Sequence, residues 1–444
     1  MATVHPIVQG RVVGALACQR DSYLQTLETE VVSCVKWSRP AVSQKPAKNA
    51  QKMTVKAETD SDLWLIELAD SVLFPEGGGQ PTDYGTLLPL KGDHTTSPAI
   101  PIHNVQRQGL RCLLYSPQPL SPGDRVRQEV DFTRRWDHMQ QHTGQHLLSA
   151  VMGTYDGLPT LGWGMGKEGD MNYVDVPRKP SPEEMRDIQD RCNQLIRENL
   201  PITAKTPENA QDNKLPGDYD KSLGIVRVIS IGDLDQNTCC GTHLRQTSHV
   251  SLILLSAKTQ TVHSKNCRLF FTAGDRAVKL SSTSVDALSS ISRLMSCGSA
   301  PDEIVANAKR LCDVTAELKK KEANLLLDLA RHEGNQAKTL LQGGKNAWVY
   351  HPDGTFEFIN RVVSTVGAET IKGCLGVVII AAGEVKKPGP VVVYGEKEAV
   401  EAAVAKIKGV VKGIKGGGKG ERWQGKVPEW RREEMEALKA LASS

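Results

Sequence analysis

The sequence lacks the features that mark membrane proteins, disordered chains and small disulfide-bonded domains. Its 444 residues contain no uninterrupted apolar run of about 18 residues, which a membrane-spanning helix requires. Hydrophobic residues make up 39% of the chain and charged residues 24%, and this balance excludes wholesale disorder. The ten cysteines are too sparse for the disulfide framework of a small secreted domain. We therefore expect a globular cytoplasmic protein with reduced thiols that does not bind membranes.

The N-terminal residues also lack the sequence pattern of a secretory signal peptide. No basic segment precedes the weakly apolar residues 6–17, so we do not expect a signal peptide, and we expect residues 1–17 to be a poorly structured lead. The remaining length suits two or three domains of roughly 100 to 200 residues. The formal net charge is only +4, so any attraction to polyanions must come from local clusters of basic residues.

The first domain is predicted to be a small β-barrel over residues 18–130. Short segments rich in valine, isoleucine and leucine occur at 27–34, 63–68 and 105–114, with proline, glycine and serine between them. The loop at residues 74–85 contains three consecutive glycines, which allow a ligand or another backbone to approach closely. An ordinary loose turn is the alternative interpretation of this loop.

Helical periodicity opens a second domain, predicted over residues 131–275. Its first helix carries His142 and His146. A second helix, at residues 181–198, starts with a serine N-cap, a proline and two acids in the expected order. A β-like segment at residues 226–231 then leads into a motif of cysteine and histidine.

Residues 301–330 form a long predicted helix with one apolar seam. The seam repeats every seven residues, at Ile304, Leu311, Leu318 and Leu325. A core-facing or hairpin helix is favoured over a coiled coil, because Thr315 and Glu322 occupy positions that a two-stranded coiled coil needs apolar. We assign residues 276–345 to a helical linker and residues 346–444 to a C-terminal α/β module, which makes the predicted fold class α+β.

Two pairs of metal-ligating residue types share one spacing. His142 and His146 are four residues apart, so their rings project from one face of a helix, and Cys239 and His243 repeat the spacing. Both pairs together are expected by chance in fewer than about one such chain in ten. Three imidazoles and one thiolate form a donor set that suits Zn²⁺.

Spacing alone leaves other ligands and roles open. His138 lies one helical turn before His142 and could replace it, and Cys240 adjoins Cys239. A zinc site with four protein ligands could also be purely structural. Thr143 stands where a metalloprotease helix of the HExxH type needs glutamate as general base, which disfavours peptide hydrolysis.

Three short motifs follow one another along the chain: Gly77-Gly78-Gly79-Gln80-Pro81, His142-Thr143-Gly144-Gln145-His146 and Cys239-Cys240-Gly241-Thr242-His243. Together they resemble the signature segments of the free-standing alanyl-tRNA editing proteins, which are relatives of the editing domain of alanyl-tRNA synthetase. Residues 18–23 and 135–148 fit the vertebrate-type members well. The resemblance runs from about residue 18 to the C-terminus, and the combination of three motifs is highly specific.

The resemblance implies a zinc-dependent hydrolase that releases serine, or glycine, wrongly attached to tRNA(Ala), and hence a role in translation fidelity. It implies one zinc ion per chain, with His142, His146, Cys239 and His243 as ligands. It assigns substrate binding near the terminal adenosine to Gly77, Gly78 and Gly79. It assigns a catalytic role to Gln80. A family threonine that contacts the serine hydroxyl corresponds to Ser71, where the hydroxyl is kept and the methyl group is lost.

Hydrolysis of an aminoacyl ester needs a nucleophilic water and a positive centre beside the oxyanion, and zinc can supply either. With four protein ligands the site must expand or exchange a ligand, or the metal instead orients the substrate. Asp235, four residues before Cys239, is a candidate for orienting water or a ligand, and an ordinary turn aspartate is the alternative.

The chain also lacks a GxxxxGK[ST] motif, since the run at residues 416–420 has no closing serine or threonine. There is little room for a synthetase catalytic domain, so we expect action in trans on tRNA(Ala) charged by another enzyme. Two rival functions remain. One is a threonyl-type editing domain acting on Ser-tRNA(Thr), against which the glycine-rich loop argues. The other is a zinc-stabilised RNA-binding module without catalysis.

A basic segment between Lys406 and Arg432 is the predicted tRNA contact. It carries nine cations against two acids, with Trp423 and Trp430 interleaved, and this composition suits phosphate contact and base stacking. A flexible solvated tail is the alternative. The residues assigned to tRNA are Lys412, Lys415, Lys419 and Arg422, with Arg134 and Arg135 beside the histidine helix as further candidates.

Overall fold

The structure is a computed structural model that describes residues 10–38, 63–90, 98–167, 169–205, 225, 227–263 and 265–443. The chain divides into two compact units, residues 1–287 and 288–444. Val226, in the β-like segment predicted from the sequence, and residues 1–9 lie outside the described residues. None of the described helices is both long enough and apolar enough to cross a membrane.

The first unit begins with a seven-stranded antiparallel sheet. After a short helix α1 (Ala17–Arg20), its strands are β1 (Thr26–Lys36), β2 (Trp64–Leu68), β3 (Gly85–Pro89), β4 (Ile100–Ile102), β5 (Val105–Gln108), β6 (Arg111–Ser116) and β7 (Arg125–Val130). Their spatial order is β4-β3-β7-β1-β2-β6-β5. The edge strands β4 and β5 are joined by only residues 103 and 104, so the sheet closes almost completely on itself. The predicted β-barrel is confirmed as a nearly closed, barrel-like sheet.

Alternation of side chains explains this sheet. In β7, Val126 and Gln128 are buried whereas Arg125 and Arg127 are exposed, which is the period of two expected of a strand with one buried face. The core inside the barrel includes Ile66, Leu87, Ile102 and Leu114.

The first residues of the described chain belong to the barrel core. Val13 and Leu16 are buried in it, and the Arg11 N–H donates a hydrogen bond to the Ala69 carbonyl oxygen. The prediction of a poorly structured lead is therefore wrong for residues 10–17. The prediction failed because these residues are ordered by burial of a few side chains, and such a short segment has no strand or helix periodicity in its sequence.

The rest of the first unit surrounds the histidine helix. Its elements are α2 (Phe132–Met152), β8 (Gly162–Gly164), β9 (Asn172–Val176), α3 (Pro182–Arg197), β10 (Ile202–Lys205), β11 (Val228–Ile231), β12 (Asp235–Thr238), a 3₁₀ turn (Thr247–Val250), β13 (Ile253–Val262) and β14 (Asn266–Ala273). The strands form two antiparallel sheets, β13-β14-β9-β8 and β10-β11-β12.

Both predicted helix starts are confirmed. The Asp131 carboxylate accepts a hydrogen bond from the Arg134 N–H and so caps α2. Ser181 and Glu184 form a reciprocal capping box at the start of α3. The apolar side of α2, which includes Met139, Leu147 and Val151, packs into a second hydrophobic core, and this fixes the direction in which its histidines point.

Helix α4 (Gly274–Met295) crosses the boundary between the units. The second unit contains α5 (Pro301–Gln342), β15 (Ala347–His351), α6 (Phe356–Val366), α7 (Ala368–Ile371), β16 (Val377–Ala382), β17 (Gly389–Gly395), α8 (Lys397–Val410), β18 (Lys415–Gly417), β19 (Arg422–Val427) and α9 (Arg432–Ser443). The sheet order is β15-β16-β17-β19-β18, with β15 and β16 parallel and the other pairs antiparallel. Hydrophobic cores lie on both faces of this sheet, as expected of an α/β module.

The long helix α5 follows the sequence prediction only in part. Its last turns are core-facing, since Ala330, Ala337 and Leu341 are buried against the sheet. The seam residues Leu318 and Leu325 are instead exposed, Leu325 to 69%. Of the predicted seam only Ile304 is buried, so the predicted core-facing helix is wrong at Leu311, Leu318 and Leu325, and most of the core-facing part of α5 lies beyond the predicted range 301–330.

Candidate metal centre

Four residues from two distant parts of the chain meet beside α2. The side-chain donor atoms of His142, His146, Cys239 and His243 all lie within 4.8 Å of one another. Cys239 directly follows β12, and its Sγ atom is 3.3 Å from both His142 Nε2 and His243 Nε2. The three histidines are buried, so the donors face one another rather than solvent.

The chemistry of this set fits a zinc ion. Tetrahedral zinc with ordinary bond lengths places a nitrogen and a sulfur ligand about 3.5 Å apart, close to the separations observed here. Burial lowers the pKa of His146 to about 4 and lowers the pKa values of His142 and His243 well below the ordinary range, so all three rings are neutral and able to ligate near pH 7. Burial also raises the pKa of the Cys239 thiol to about 12, and a bound cation would favour its thiolate.

The geometry decides between the ligands that spacing left open. Among the described residues, the close set contains neither His138 nor Cys240. His138 is buried one turn away, where its Nδ1 atom has no hydrogen-bond partner. Cys240 turns towards the glycine-rich loop, and its Sγ atom lies 3.2 Å from the position that a Cβ on Gly78 would take.

Gln80 holds His142 in the orientation that ligation needs. It is fully buried, and its Oε1 atom lies 2.9 Å from His142 Nδ1 and accepts a hydrogen bond from the Thr242 N–H. Its Nε2 atom donates to Thr242 Oγ1 at 2.8 Å. Because Oε1 can only accept, the proton must reside on His142 Nδ1, which leaves Nε2 free for a metal.

Thr143 performs a related task for His243. Its Oγ1 atom lies 3.4 Å from His243 Nδ1 and accepts a hydrogen bond from the Leu244 N–H. The residue that replaces the general base of a metalloprotease helix therefore contacts a ligand of the metal set. Gly241 completes the turn, since a Cβ at this position would overlap the His142 ring.

The glycine-rich loop packs directly against the metal set. Gly79 has φ of +83°, and a Cβ there would come within 2.8 Å of the Trp163 ring. The Trp163 ring is in turn 4.8 Å from the His142 ring, centroid to centroid. A side chain at position 79 would therefore be both strained and crowded. Sequence reasoning missed Trp163, because a single tryptophan on a short edge strand has no motif.

The two remaining predicted residues of the site have partners of their own. Ser71 is buried in the barrel core, where its Oγ atom lies 2.9 Å from the Leu73 carbonyl oxygen and 3.2 Å from Gln128 Oε1. Asp235 begins β12, and both of its carboxylate oxygens accept hydrogen bonds from the Asn237 side chain.

The prediction that Arg135 contacts tRNA is wrong. Its side chain is fully buried and forms an ion pair with Asp83, and it also donates to the carbonyl oxygens of Ser22 and Val72. No surface is left for a phosphate, so its role is to join α2 to the barrel. Arg134 is half-buried, and its guanidinium lies 3.9 Å above the Tyr84 ring.

The C-terminal basic segment is folded, and its tryptophans are not available for base stacking. Trp423 lies in β19 and Trp430 is fully buried, with its Nε1–H donating to the Ala382 carbonyl oxygen. The alternative of a flexible tail is excluded, because β18 and β19 are paired strands of the sheet. The cations themselves remain at the surface: Lys412, Lys415 and Lys419 are exposed, and Arg422 is half-buried against Asn360.

Comparison with known proteins identifies relatives over nearly the whole chain. Residues 226–270 match the Threonyl and Alanyl tRNA synthetase second additional domain. The chain is 34% identical over 431 residues to the alanyl-tRNA editing protein Aarsd1 of Rattus norvegicus, covering 96% of this chain and 97% of that protein. It is 36% identical over 376 residues to the putative alanyl-tRNA editing protein alaX of Saccharomyces cerevisiae, covering 79% and 78%.

A synthetase is also among the similar proteins. The alanine–tRNA ligase of Natronomonas pharaonis is 28% identical over 337 residues, which cover 72% of this chain but only 34% of the ligase. The matched domain, residues 226–270, contains Cys239 and His243 of the metal set. The chain belongs to the family of alanyl-tRNA editing proteins.

Proposed function

We propose that this protein is a trans-editing hydrolase that cleaves the ester bond of Ser-tRNA(Ala), with Gly-tRNA(Ala) as a second substrate. Membership of the alanyl-tRNA editing family supports the reaction and the tRNA. The observation that carries the proposal is the convergence of His142, His146, Cys239 and His243 beside the glycine-rich loop.

The proposal includes one zinc ion per chain, held by these four residues. When bound, zinc supplies a positive centre that can polarise the ester carbonyl, lower the pKa of a water molecule or orient the amino group of the substrate. The donor set favours zinc over magnesium or calcium, which prefer oxygen ligands.

The protein residues around the metal set would prepare the ester for attack. Gln80 keeps His142 in one tautomer, so the metal set does not have to reorganise when substrate binds. Gly79 is proposed to let the terminal adenosine approach its backbone, because it has no side chain. The Trp163 ring lies on the side where a Cβ of residue 79 would point. Asp235 is proposed to orient water or a ligand from the start of β12.

Binding of tRNA is proposed to use cations from both units. Lys412, Lys415, Lys419 and Arg422 would contact phosphates in the second unit, and Arg134 would do so in the first turn of α2 in the first unit. These contacts neutralise phosphate charge and carry no information on the attached amino acid. Discrimination against alanine is proposed to rest on Ser71 through the hydroxyl group of the misattached serine.

The proposal is tested by following deacylation of Ser-tRNA(Ala) with zinc-loaded and metal-depleted protein. We expect hydrolysis by the zinc-loaded form, loss of activity on depletion and recovery when zinc is returned. Cys239→Ala should lose zinc, whereas Cys240→Ala should keep most of it, because only Cys239 belongs to the close set. Full activity of metal-free protein would contradict the role of zinc, and the reverse behaviour of the two cysteines would contradict the ligand assignment.

A further inference from the structure

A narrow cleft of about 90 Å³ adjoins the metal set on the side of His243. Besides His243, the polar and charged residues along it include Arg20, Asp21, Ser22, Arg227 and Arg245. Three guanidinium groups against one carboxylate give this lining an excess of positive charge. The cleft lies wholly within the first unit, and none of the functions assigned above uses it.

Arg227 is the unusual member of this lining. It is only 5% exposed, and no ion pair joins it to a carboxylate among the described residues. Its Nη1 atom donates to the carbonyl oxygens of Cys239 and Gly241, while its buried Nε atom has no hydrogen-bond partner. Buried charges are stable when they are paired and hydrogen-bonded, so an anion held in the cleft would stabilise Arg227.

The other two arginines stand at the exposed part of the cleft. Arg245 forms an ion pair with Asp21 at 2.9 Å and lies 4.3 Å above the Tyr23 ring, whereas Arg20 pairs with Asp70 at 2.7 Å. The Arg245–Asp21 pair is exposed on both sides and contributes little to stability, so the Arg245 guanidinium can turn to a phosphate at small cost. Asp70 also pairs with Arg11 and so keeps a cationic partner if Arg20 turns away. Their carboxylate and aromatic neighbours hold them at the entrance until then.

The substrate of the proposed function determines which anion fits, and the inference rests on that function. In an aminoacyl-tRNA the amino group of the amino acid is cationic, and the ribose and adenine are neutral. Only the phosphodiester groups are anionic, and the last of them is separated from the ester by a single ribose. We propose that the Arg20, Arg227 and Arg245 cleft binds the phosphodiester group that precedes the terminal adenosine of tRNA, while the ester lies at the metal set beyond His243.

The experiment compares binding of AMP, adenosine and inorganic phosphate to the zinc-loaded full chain by isothermal titration calorimetry. AMP carries both the base and the 5′-phosphate, so we expect it to bind at least about tenfold more tightly than either fragment, since a charge-assisted contact is among the stronger ones. Equal affinity for AMP and adenosine would overturn the proposal. If inorganic phosphate bound as tightly as AMP, the cleft would be a site for free phosphate, and the proposal that it binds a phosphodiester of tRNA would be overturned.

Variants locate the effect. Arg245→Met should reduce the preference for AMP over adenosine several-fold, and Arg227→Met should abolish it. Arg125→Met is the matched control, because Arg125 is equally exposed and pairs with Glu28 at 2.9 Å on the barrel, outside the cleft. If Arg227→Met does not fold, Arg245→Met still decides the matter, since an unchanged preference in this surface variant would overturn the proposal.

Kinetics with tRNA provide an independent readout. Arg245→Met should raise KM for Ser-tRNA(Ala) with little change in kcat, and it should reduce the salt dependence of binding by about one phosphate contact. Hydrolysis without any AMP preference would refute the cleft alone. An arginine-dependent AMP preference without hydrolysis would instead refute the proposed function and leave the anion site standing.

Discussion

Replacing Gln80 by methionine tests how the metal set is oriented. Methionine has nearly the same length, so the change removes hydrogen bonds with little change in volume. In the variant the Thr242 N–H and the His142 Nδ1–H both lose their acceptor, Gln80 Oε1, inside a fully buried site. His142 is then free to carry its proton on Nε2, the atom that faces Cys239 Sγ, and such a ring cannot ligate.

The expected losses follow from these contacts. Each buried donor left without a partner costs about 1–3 kcal/mol, so the free energy of unfolding of the first unit should fall by roughly 2–6 kcal/mol. Removing the hydrogen-bond partner of a metal-ligating histidine costs about 10- to 100-fold in metal affinity. We therefore expect Gln80→Met to weaken zinc binding by that factor in addition to lowering stability.

Competition with a chromophoric chelator measures the zinc affinity, and Gln128→Met is the matched control. Gln128 is also fully buried in the first unit, where it accepts from the Val72 N–H and donates to the Asp70 carbonyl oxygen, but it has no hydrogen bond to a metal-ligating residue. Both variants should lose stability in urea, and only Gln80→Met should lose zinc affinity. Unchanged zinc affinity in a folded Gln80→Met protein would refute the orienting role of Gln80.

Three further changes have definite expected outcomes. Gly79→Val should abolish deacylation while zinc content is retained, because its side chain would collide with Trp163 outside the ligand set; full activity would reduce the loop to an ordinary turn. Ser71→Ala should erode discrimination between Ser-tRNA(Ala) and Ala-tRNA(Ala), and a loss of stability with unchanged selectivity would limit Ser71 to its contact with Leu73. Lys415→Gln combined with Lys419→Gln should weaken tRNA binding by filter assay and flatten its salt dependence, with kcat preserved, and an unaltered salt slope would exclude these lysines.

Point changes are the right test of the basic segment, because truncation before it would remove part of the fold. Strand β19 pairs with β17 in the middle of the sheet, and Trp423 lies in the core beneath it. A shortened chain would therefore lose binding and structure together. The lysines of β18 and the loop after it are exposed, so their charges can be removed with the sheet intact.

The pairs of metal ligands could be recognised in the sequence because each pair is local, although spacing left His138 and Cys240 open and the resemblance to the editing family supplied the choice. A spacing of four on a helix fixes the relative position of His142 and His146, and the turn after β12 does the same for Cys239 and His243. Periodicity likewise predicted the barrel-like sheet, the two capped helices and the C-terminal sheet. These features depend on residues that are neighbours in the sequence.

The contacts that were missed join residues far apart in the sequence. The Trp163 ring lies against Gly79, and Arg227 donates a hydrogen bond to the Gly241 carbonyl oxygen. No local sequence pattern predicts either contact. Arg135 and the two C-terminal tryptophans were interpreted by residue type, as cations and aromatics suited to RNA. Their burial depends on partners such as Asp83, which only the folded chain brings within reach.

The most direct test of the proposed function is a parallel deacylation assay of the zinc-loaded protein on Ser-tRNA(Ala), Ser-tRNA(Thr) and Ala-tRNA(Ala). The same amino acid on two tRNAs separates the alanyl from the threonyl branch, and two amino acids on one tRNA measure selectivity at the ester. We predict rapid hydrolysis of Ser-tRNA(Ala), with the other two substrates left largely intact. Binding of Ser-tRNA(Ala) without hydrolysis would indicate an RNA-binding module, and preferential hydrolysis of Ser-tRNA(Thr) would contradict the alanyl assignment.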